Sequence, residues 1–410
     1  MAKNFAAIYE STNDSYAIEQ TVYLKQEATR GHLMPPSPTD FLFTLSGGGL
    51  SQTQPFDISP HRSGRHNNNI IKKKKECSWS LSTYFNIDET LADADAAEID
   101  VPARVLFKSL LGHEDAAAGL IYDARTAPNV TFSIFEIGDK WCKQGRGCFV
   151  ESAGMSFPGD GEAKCEWAGS GATSVMVGVG KSTARNDVGN TVTVAAGEGV
   201  YFPVGALVMI TKSDGVTRSS DTPANTARAV TAVVGDVVTL SGAPLTDADG
   251  AASPVYLVYY EPATRSGIDN PVTGLKGSVT IPSIGSQVIR SAKVDIKNGH
   301  ELIKNGFGSD SLSGALFTSG GRLEATLTVE LNLNAKVLAL FNNVQTFTAQ
   351  ACTIILGSSV GRHLEILTPR VYFKVPAVTV PENGSIPVSF EGTCLQSSLD
   401  ASDEITLKFK

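Results

Sequence analysis

Three stretches of this 410-residue chain carry residue types that do chemistry when correctly spaced. "VGVGKSTA", Val177 to Ala184, ends like a phosphate-binding loop, in which backbone N–H groups cradle a phosphate and a lysine reaches it. That loop needs a glycine where this chain has Val175, and no strand followed by a long helix flanks it, so the stretch reads as a flexible junction between domains. His61 and His66 sit five apart in a Gly/Asn-rich segment without a cysteine, the pattern of a surface loop rather than a metal pair. "NIDETLADADAAEID", Asn86 to Asp100, carries six carboxylates and no base, but lacks the glycine bend and fixed spacing of a calcium loop. No nucleophile elbow or Ser–His–Asp set is spaced for catalysis. The expectation is a protein that is not an enzyme and holds neither metal nor cofactor.

Length and composition set the frame. A chain this long exceeds one ordinary core, which predicts two or three domains. Apolar residues make up 42% and charged residues 19%, so the chain is globular and not wholly disordered. The net charge of -8 argues against a protein that grips nucleic acid by counterion release, though not against one past which nucleic acid slides. Abundant Val, Thr and Ser punctuated by 39 glycines predict many short strands and turns. No apolar run approaches the ~20 residues of a membrane helix, so no membrane insertion is expected. The opening residues lack the apolar core of a secretory leader, which predicts synthesis in a cytosol. The six cysteines form no CxxC pair and read as reduced, packed thiols.

The elements come in a repeated order. In "ECSWSLSTYFNI", Glu76 to Ile87, the residues Cys77, Trp79, Leu81, Thr83 and Phe85 share one face. In "RLEATLTVELNL", Arg322 to Leu333, the residues Leu323, Ala325, Leu327, Val329, Leu331 and Leu333 do the same. Both are period-two strands with one apolar face and one short, polar face. A short helix follows each. Asp100 and Pro102 are placed to start the first, with Leu106, Leu110 and Leu111 as its stripe and Gly112 as its stop. Asn334 is placed to cap the second, with Val337, Leu338 and Phe341 as its stripe. An apolar strand comes next ("TFSIFEIG", then "ACTIILGSS"), followed by a two-strand unit with a Pro/Gly turn.

Between the copies the chain turns Val/Thr/Gly-rich and reads as a separate barrel or immunoglobulin-like sandwich, tethered by "AGSGATS", with a place in the main fold as the alternative. Its expected core is Val200, Phe202, Leu207, Val208, Ile210, Val230, Val237 and Leu240. The predicted class is therefore mainly β. Two β-sandwich or barrel modules, residues 1–170 and 262–410, each carry one short α-helix and flank a small all-β domain over 171–261.

In "KKKKECSWSLSTYFNID", "ARVLFKSLLG", "FTSGGRLEATLTVELNLNAKVLALF" and "LEILTPRVYFKVPAVTVPENGSIPVSFEGTCL", the chain resembles the tail tube proteins of long-tailed bacteriophages. The likeness covers most of both halves but not the insertion. It implies rings of six modules that stack into a tube, with the amphipathic strands lining a channel for genomic DNA and for the tape-measure protein. With two modules per chain, it implies a homotrimer with pseudo-sixfold symmetry, located in the virion tail, with terminator, baseplate or sheath proteins as further partners. On this resemblance Glu76, Ser78, Ser80, Ser82, Glu324, Thr326, Thr328 and Glu330 face the lumen. Short polar and acidic groups suit a channel that must not arrest a phosphate backbone. The long exposed loop beginning near Pro55, with His61, Arg62, Arg65 and Lys72, Lys73, Lys74 and Lys75, is expected to reach the neighbouring ring. Rival readings are another tail ring component, such as a hub or terminator, and a surface or carbohydrate-binding β-protein.

Overall fold

A computed structural model describes residues 3–13, 20–45, 49–59, 69–87, 101–115, 120–126, 129–246, 255–262, 271–274, 277–287, 289–303, 317–318, 321–357, 363–378 and 380–409. The protein is mainly β, as its alternation and composition predict.

In chain order, the first part comprises α1 (Phe5–Glu10), β1 (Thr21–Gln26), β2 (Phe41–Leu42), β3 (Gly49–Thr53), β4 (Phe56–Ile58), β5 (Ile70–Lys72), β6 (Glu76–Tyr84), α2 (Arg104–Leu111), β7 (His113–Asp115) and β8 (Leu120–Asp123). It continues with β9 (Phe132–Ile137), β10 (Cys142–Pro158), β11 (Lys164–Gly171) and β12 (Thr173–Val177). The middle part is β13 (Val179–Asn186), β14 (Thr191–Val194), β15 (Leu207–Thr211), β16 (Arg228–Val234), β17 (Val237–Leu240) and β18 (Tyr256–Tyr259). The last part is β19 (Ser278–Ile281), β20 (Gly285–Gln287), β21 (Ile289–Lys297), β22 (Glu301–Leu302), β23 (Phe317–Thr318), β24 (Glu324–Asn332), α3 (Ala335–Gln345), β25 (Gln350–Leu356), β26 (Leu364–Phe373), β27 (Pro387–Leu395) and β28 (Thr406–Phe409).

The strand pairings of the first part recur in the last. β1 pairs with β2 and β9, as β19 pairs with β20 and β25. β6 lies between β3 and β11, as β24 lies between β21 and β27. β10 pairs with β9, β11 and β12, as β26 pairs with β25, β27 and β28. The two sets join through β10–β21, which fuses their inner strands into one antiparallel series, β3–β6–β11–β10–β21–β24–β27–β26. They join again through β8–β28. A single buried core runs beneath both, including Trp79, Trp167, Leu327 and Phe390.

β10 serves two sheets because it bends. Its first residues pair with β9 and β12 and its last with β11 and β21, and its register slips on either side of the bend. Gly147 at the bend has φ 62°, a conformation that favours glycine. Its N–H donates to Glu27 Oε1 at 2.7 Å; the same carboxylate accepts from Gly31 N, Thr131 Oγ1 and Ser133 Oγ. A buried carboxylate with four donors is a satisfied one, so it fixes the corner rather than straining it.

The helices differ in detail from expectation. α2 begins at Arg104 with Ala103 as an uncapped N-terminus. Pro102 therefore precedes the helix, and Asp100 lies outside the described residues. Leu106, Leu110 and Leu111 are fully buried, and Phe107 sits within 5.0–6.0 Å of the rings of Trp167, Tyr122, Phe409 and Phe85. In α3, Asn334 caps Lys336 N and Val337 N as expected. Its buried stripe is Val337, Leu340 and Val344, while Leu338 is 51% exposed, because the three-and-seven spacing from Val337 selects the face toward the sheet.

The middle strands close a six-stranded barrel, β13–β14–β17–β16–β15–β18. Phe202, Leu207, Val208, Ile210, Val230 and Leu240 line its core as expected. Val200 and Val237 do not. Val200 lies in a short 3-10 turn and faces water, while the parity of β17 turns Val238 and Leu240 inward and leaves Val237 outside. α1 packs on this barrel through Phe5 against Tyr259, with Phe5 N donating to Gly215 O.

The two stretches expected to form a loose junction before the barrel are strands instead. "AGSGATS" runs through β11 and β12, and "VGVGKSTA" through the end of β12 into β13, so neither is a loose junction. The glycines serve close approach instead. A Cβ on Gly169 would lie 2.0 Å from Phe149 O and 2.7 Å from the Trp79 ring. The buried Gln144 side chain bridges β10 to the barrel by bonding both Leu207 N and Leu207 O at 2.7 Å. Replacing Gly169 with Ala should overpack this seam and lower stability by about 1–3 kcal/mol, read as an earlier urea midpoint. An unchanged midpoint would show that β10 and β11 can move apart.

Candidate functional surface

The exposed face of the inner series is built by alternation, because each strand buries every second residue. In β6, Glu76, Ser78 and Ser80 are exposed and Ser82 half-buried, while Cys77, Trp79, Leu81 and Thr83 are buried. In β24, Glu324 is exposed and Thr326, Thr328 and Glu330 are half-buried opposite buried Ala325, Leu327, Val329 and Leu331. The eight residues singled out from sequence thus share one face of one sheet, split between two strands with three others between them.

The part those three strands play in the polar face was missed. β11 adds Glu166 opposite Ser82, and β10 adds Ser152, Gly154 and Ser156. β21 adds Lys293, Asp295 and Lys297, with Asp295 opposite both Gly154 and Thr326. All of these but Ser156 line a concavity of about 860 Å³ that runs from Ser80 and Ser82 across Asp295 to Thr328 and Glu391. The signal was legible as polar alternation in "ESAGMSFP" and "AKVDIK".

Lysines therefore occur on this face, contrary to the expectation of a surface that avoids them. Carboxylates of the same face pair several of the cations. Lys293 Nζ lies 2.9 Å from Asp295, Arg290 3.4 Å from Glu330, and Lys374 2.5 Å from Glu391. Exposed pairs of this kind add little stability. Their effect is to cancel the local positive field that a polyanion would seek.

One edge of the face carries a buried acid. Glu136 of β9 accepts Leu50 N on β3 at 2.5 Å, and Lys143 of β10 donates to Leu50 O at 3.1 Å. Burial pushes the Glu136 carboxyl up, with the Leu50 N–H and nearby Lys143 pulling the other way. Its second oxygen, 3.7 Å from Lys143 Nζ, has no hydrogen-bond partner.

The basic segment is more ordered than a loop. Phe56–Ile58 and Ile70–Lys72 form a two-stranded hairpin exposing Phe56, Ile58, Ile70 and Ile71. Lys72 and Lys73 are exposed, and Lys74 and Lys75 are half-buried at the hairpin's base. Lys73 pairs with Asp57 at 2.9 Å. His61, Arg62 and Arg65 lie outside the described residues.

Elsewhere, Tyr9, Trp141, Met176 and Tyr201 line a groove of about 700 Å³ between α1 and the barrel. Glu198 accepts the Tyr9 hydroxyl at 2.6 Å and so raises its pKa to about 12. Among the described residues no group of three His, Cys, Asp or Glu side chains is placed to hold a metal, and no helix is long and apolar enough to cross a membrane. Gly180 and Lys181 lie on β13, where no phosphate-wrapping turn forms. All six cysteines are free and buried.

No family model matches the chain, and no curated protein matches it.

The alternation makes a direct test. Ser80→Ala should change unfolding free energy by less than about 0.5 kcal/mol, whereas Leu81→Ala, one residue along, should cost about 2–5 kcal/mol. Comparable losses in urea titrations of the two variants would mean that the Ser80 face is covered.

Proposed function

We propose that this chain is a structural protein of a bacteriophage tail whose rings stack into the tail tube. One observation carries the reading: a doubled strand order feeds a single sheet whose exposed face is short, polar and charge-paired. Such a face suits a wall past which DNA moves without being held, since stopping DNA requires several unpaired cations acting together. Three copies supply six modules, and the proposed partners are further copies of the chain, the tape-measure protein during assembly and DNA in transit. Terminator, baseplate or sheath proteins would meet the ends or the outside of the tube. The proposed location is the virion tail, and no catalysis, metal or cofactor belongs to this role.

The β4–β5 hairpin is the proposed contact between stacked rings. Exposed isoleucines and Phe56 on a two-stranded arm are a liability in a lone chain and an anchor in an assembly. Lys72 to Lys75 then lie against an acidic neighbour, with Asp57 already neutralising Lys73. Replacing all four lysines with Glu should leave the monomer's circular dichroism unchanged and abolish tube elongation at physiological salt.

The decisive experiment is electron microscopy of the purified protein. Long tubes with a central channel and threefold rings support the reading, and monodisperse monomers at every concentration and salt oppose it. A carbohydrate-binding role is the second reading, favoured by the Tyr9–Trp141–Tyr201 groove. Glycan-array binding that is lost on Trp141→Ala, in a protein that forms no rings, would select it.

A further inference from the structure

The inner series ends in two edges that the chain itself shows how to join. At its middle, β10 and β21 pair as Ser152–Lys297, Ala153–Ile296 and Gly154–Asp295. Asn298 N donates to Glu151 O, which makes 151–298 and, two residues on, 153–296 the hydrogen-bonded pairs. Each strand of this junction has a counterpart at an end of the series. On β6, Leu50 pairs with Trp79 and Ser51 with Ser78; on β24, Ile296 pairs with Ala325 and Lys297 with Glu324. Trp79 and Ala325 hold equivalent places in the two alternating strands, so Leu50 stands where Ile296 stands, and Ser51 where Lys297 stands. By the same route Ala153 opposite Trp167 corresponds to Phe373 opposite Gly392, and Ser152 to Tyr372.

These counterparts have no strand partner on their outer sides among the described residues. β3 pairs with β6 alone, and Tyr372 and Phe373 of β26 pair with β27 alone, Val371 being the last residue of that strand that also meets β25, at Gln350. Lys374 N donates inward to Glu391 O, so the N–H and C=O of Phe373 and Val375 point outward. Val375 is 54% exposed, whereas Met155, its counterpart in the internal junction, is fully buried.

We propose that the Phe373 edge of one copy adds to the β3 edge of a second copy in the register Tyr372–Ser51, Phe373–Leu50 and Lys374–Gly49. This junction rests on the ring reading above and specifies its partner and pairing. Two different edges meeting head to tail form a heterologous contact, which closes into a ring when the rotation permits and leaves no free edge. In the single chain the edge is guarded. The outward N–H and C=O of Leu50 are held by Glu136 and Lys143, so docking exchanges these two side-chain bonds for the backbone of Phe373. Charged side chains laid across an edge are a common protection against indiscriminate pairing.

The register makes the test. Tyr372 and Ser51 would form a non-hydrogen-bonded pair on the exposed face, the antiparallel geometry closest to disulfide spacing. Under mild oxidation, Tyr372→Cys with Ser51→Cys should convert the monomer band to covalent multimers on non-reducing gels. Tyr372→Cys with Thr53→Cys should not, and the internal pair Ser152→Cys with Lys297→Cys should close within one chain. The native thiols, all buried, give little background. Lys143→Ala should speed the intermolecular cross-link by loosening the guard. Equal cross-linking by Ser51 and Thr53 variants, or none by Ser51 when the internal control closes, overturns the junction. Micrographs of the same samples separate the two ideas: tubes without the cross-link sink this register alone, and cross-linked rings that never stack sink the tube reading alone.

Discussion

The seam between β10 and β21 is the constraint on which the rest of the structure depends. Seven residue pairs hold it, and because side chains alternate, its register decides which residues meet water on eight strands. A slip of one residue would drive Lys293, Asp295 and Lys297 into the core and turn Val294 and Ile296 outward. Burying those charges without partners costs far more than the few kcal/mol by which a domain is stable. Gly154 sharpens the choice, since a Cβ there would lie 3.2 Å from Asp295 Oδ1.

What the sequence made legible follows the same physics. The alternation around Trp79 and Leu327 was readable because one face is buried and the other wet, and a two-residue period survives any change of neighbour. The strands between them carried the same period, but glycines and serines diluted it. Gly169 and Gly171 looked like linker for that reason, yet their small size lets Phe149 O, Trp79 and the Cys77 and Cys148 thiols come close. Local composition does not reveal a contact made by a distant strand. Val200 and Val237 failed differently, by a single position of parity or a turn that faces out. The Glu136–Lys143 hold on Leu50 was invisible, since three residues from three strands meet there without any shared motif.

The middle barrel is bound to the strand that forms the seam. Gln144 lies on β10, a few residues before the bend, and its amide satisfies both backbone groups of Leu207. Tyr260 adds a hydroxyl bond to Pro36 O, and Phe5 of α1 closes against Tyr259. The barrel core is continuous with Phe135, Ile137 and Cys142 on the far side of the first sheet. Its orientation is therefore set by buried polar contacts and packing together, which leaves little freedom to swing.

The pairing of β8 with β28 has a kinetic consequence. Leu120, Ile121 and Tyr122 meet Phe409, Lys408 and Leu407, so strands made far apart in synthesis must find each other across more than two-thirds of the chain. Phe409 also lies 5.3 Å from Phe107, inside the aromatic cluster under α2. The first half thus cannot seal its own core as it emerges, and loop-closure entropy makes its completion a slow, late event. Until then the nascent chain displays apolar surface and unpaired strands, the state in which chaperones are most needed.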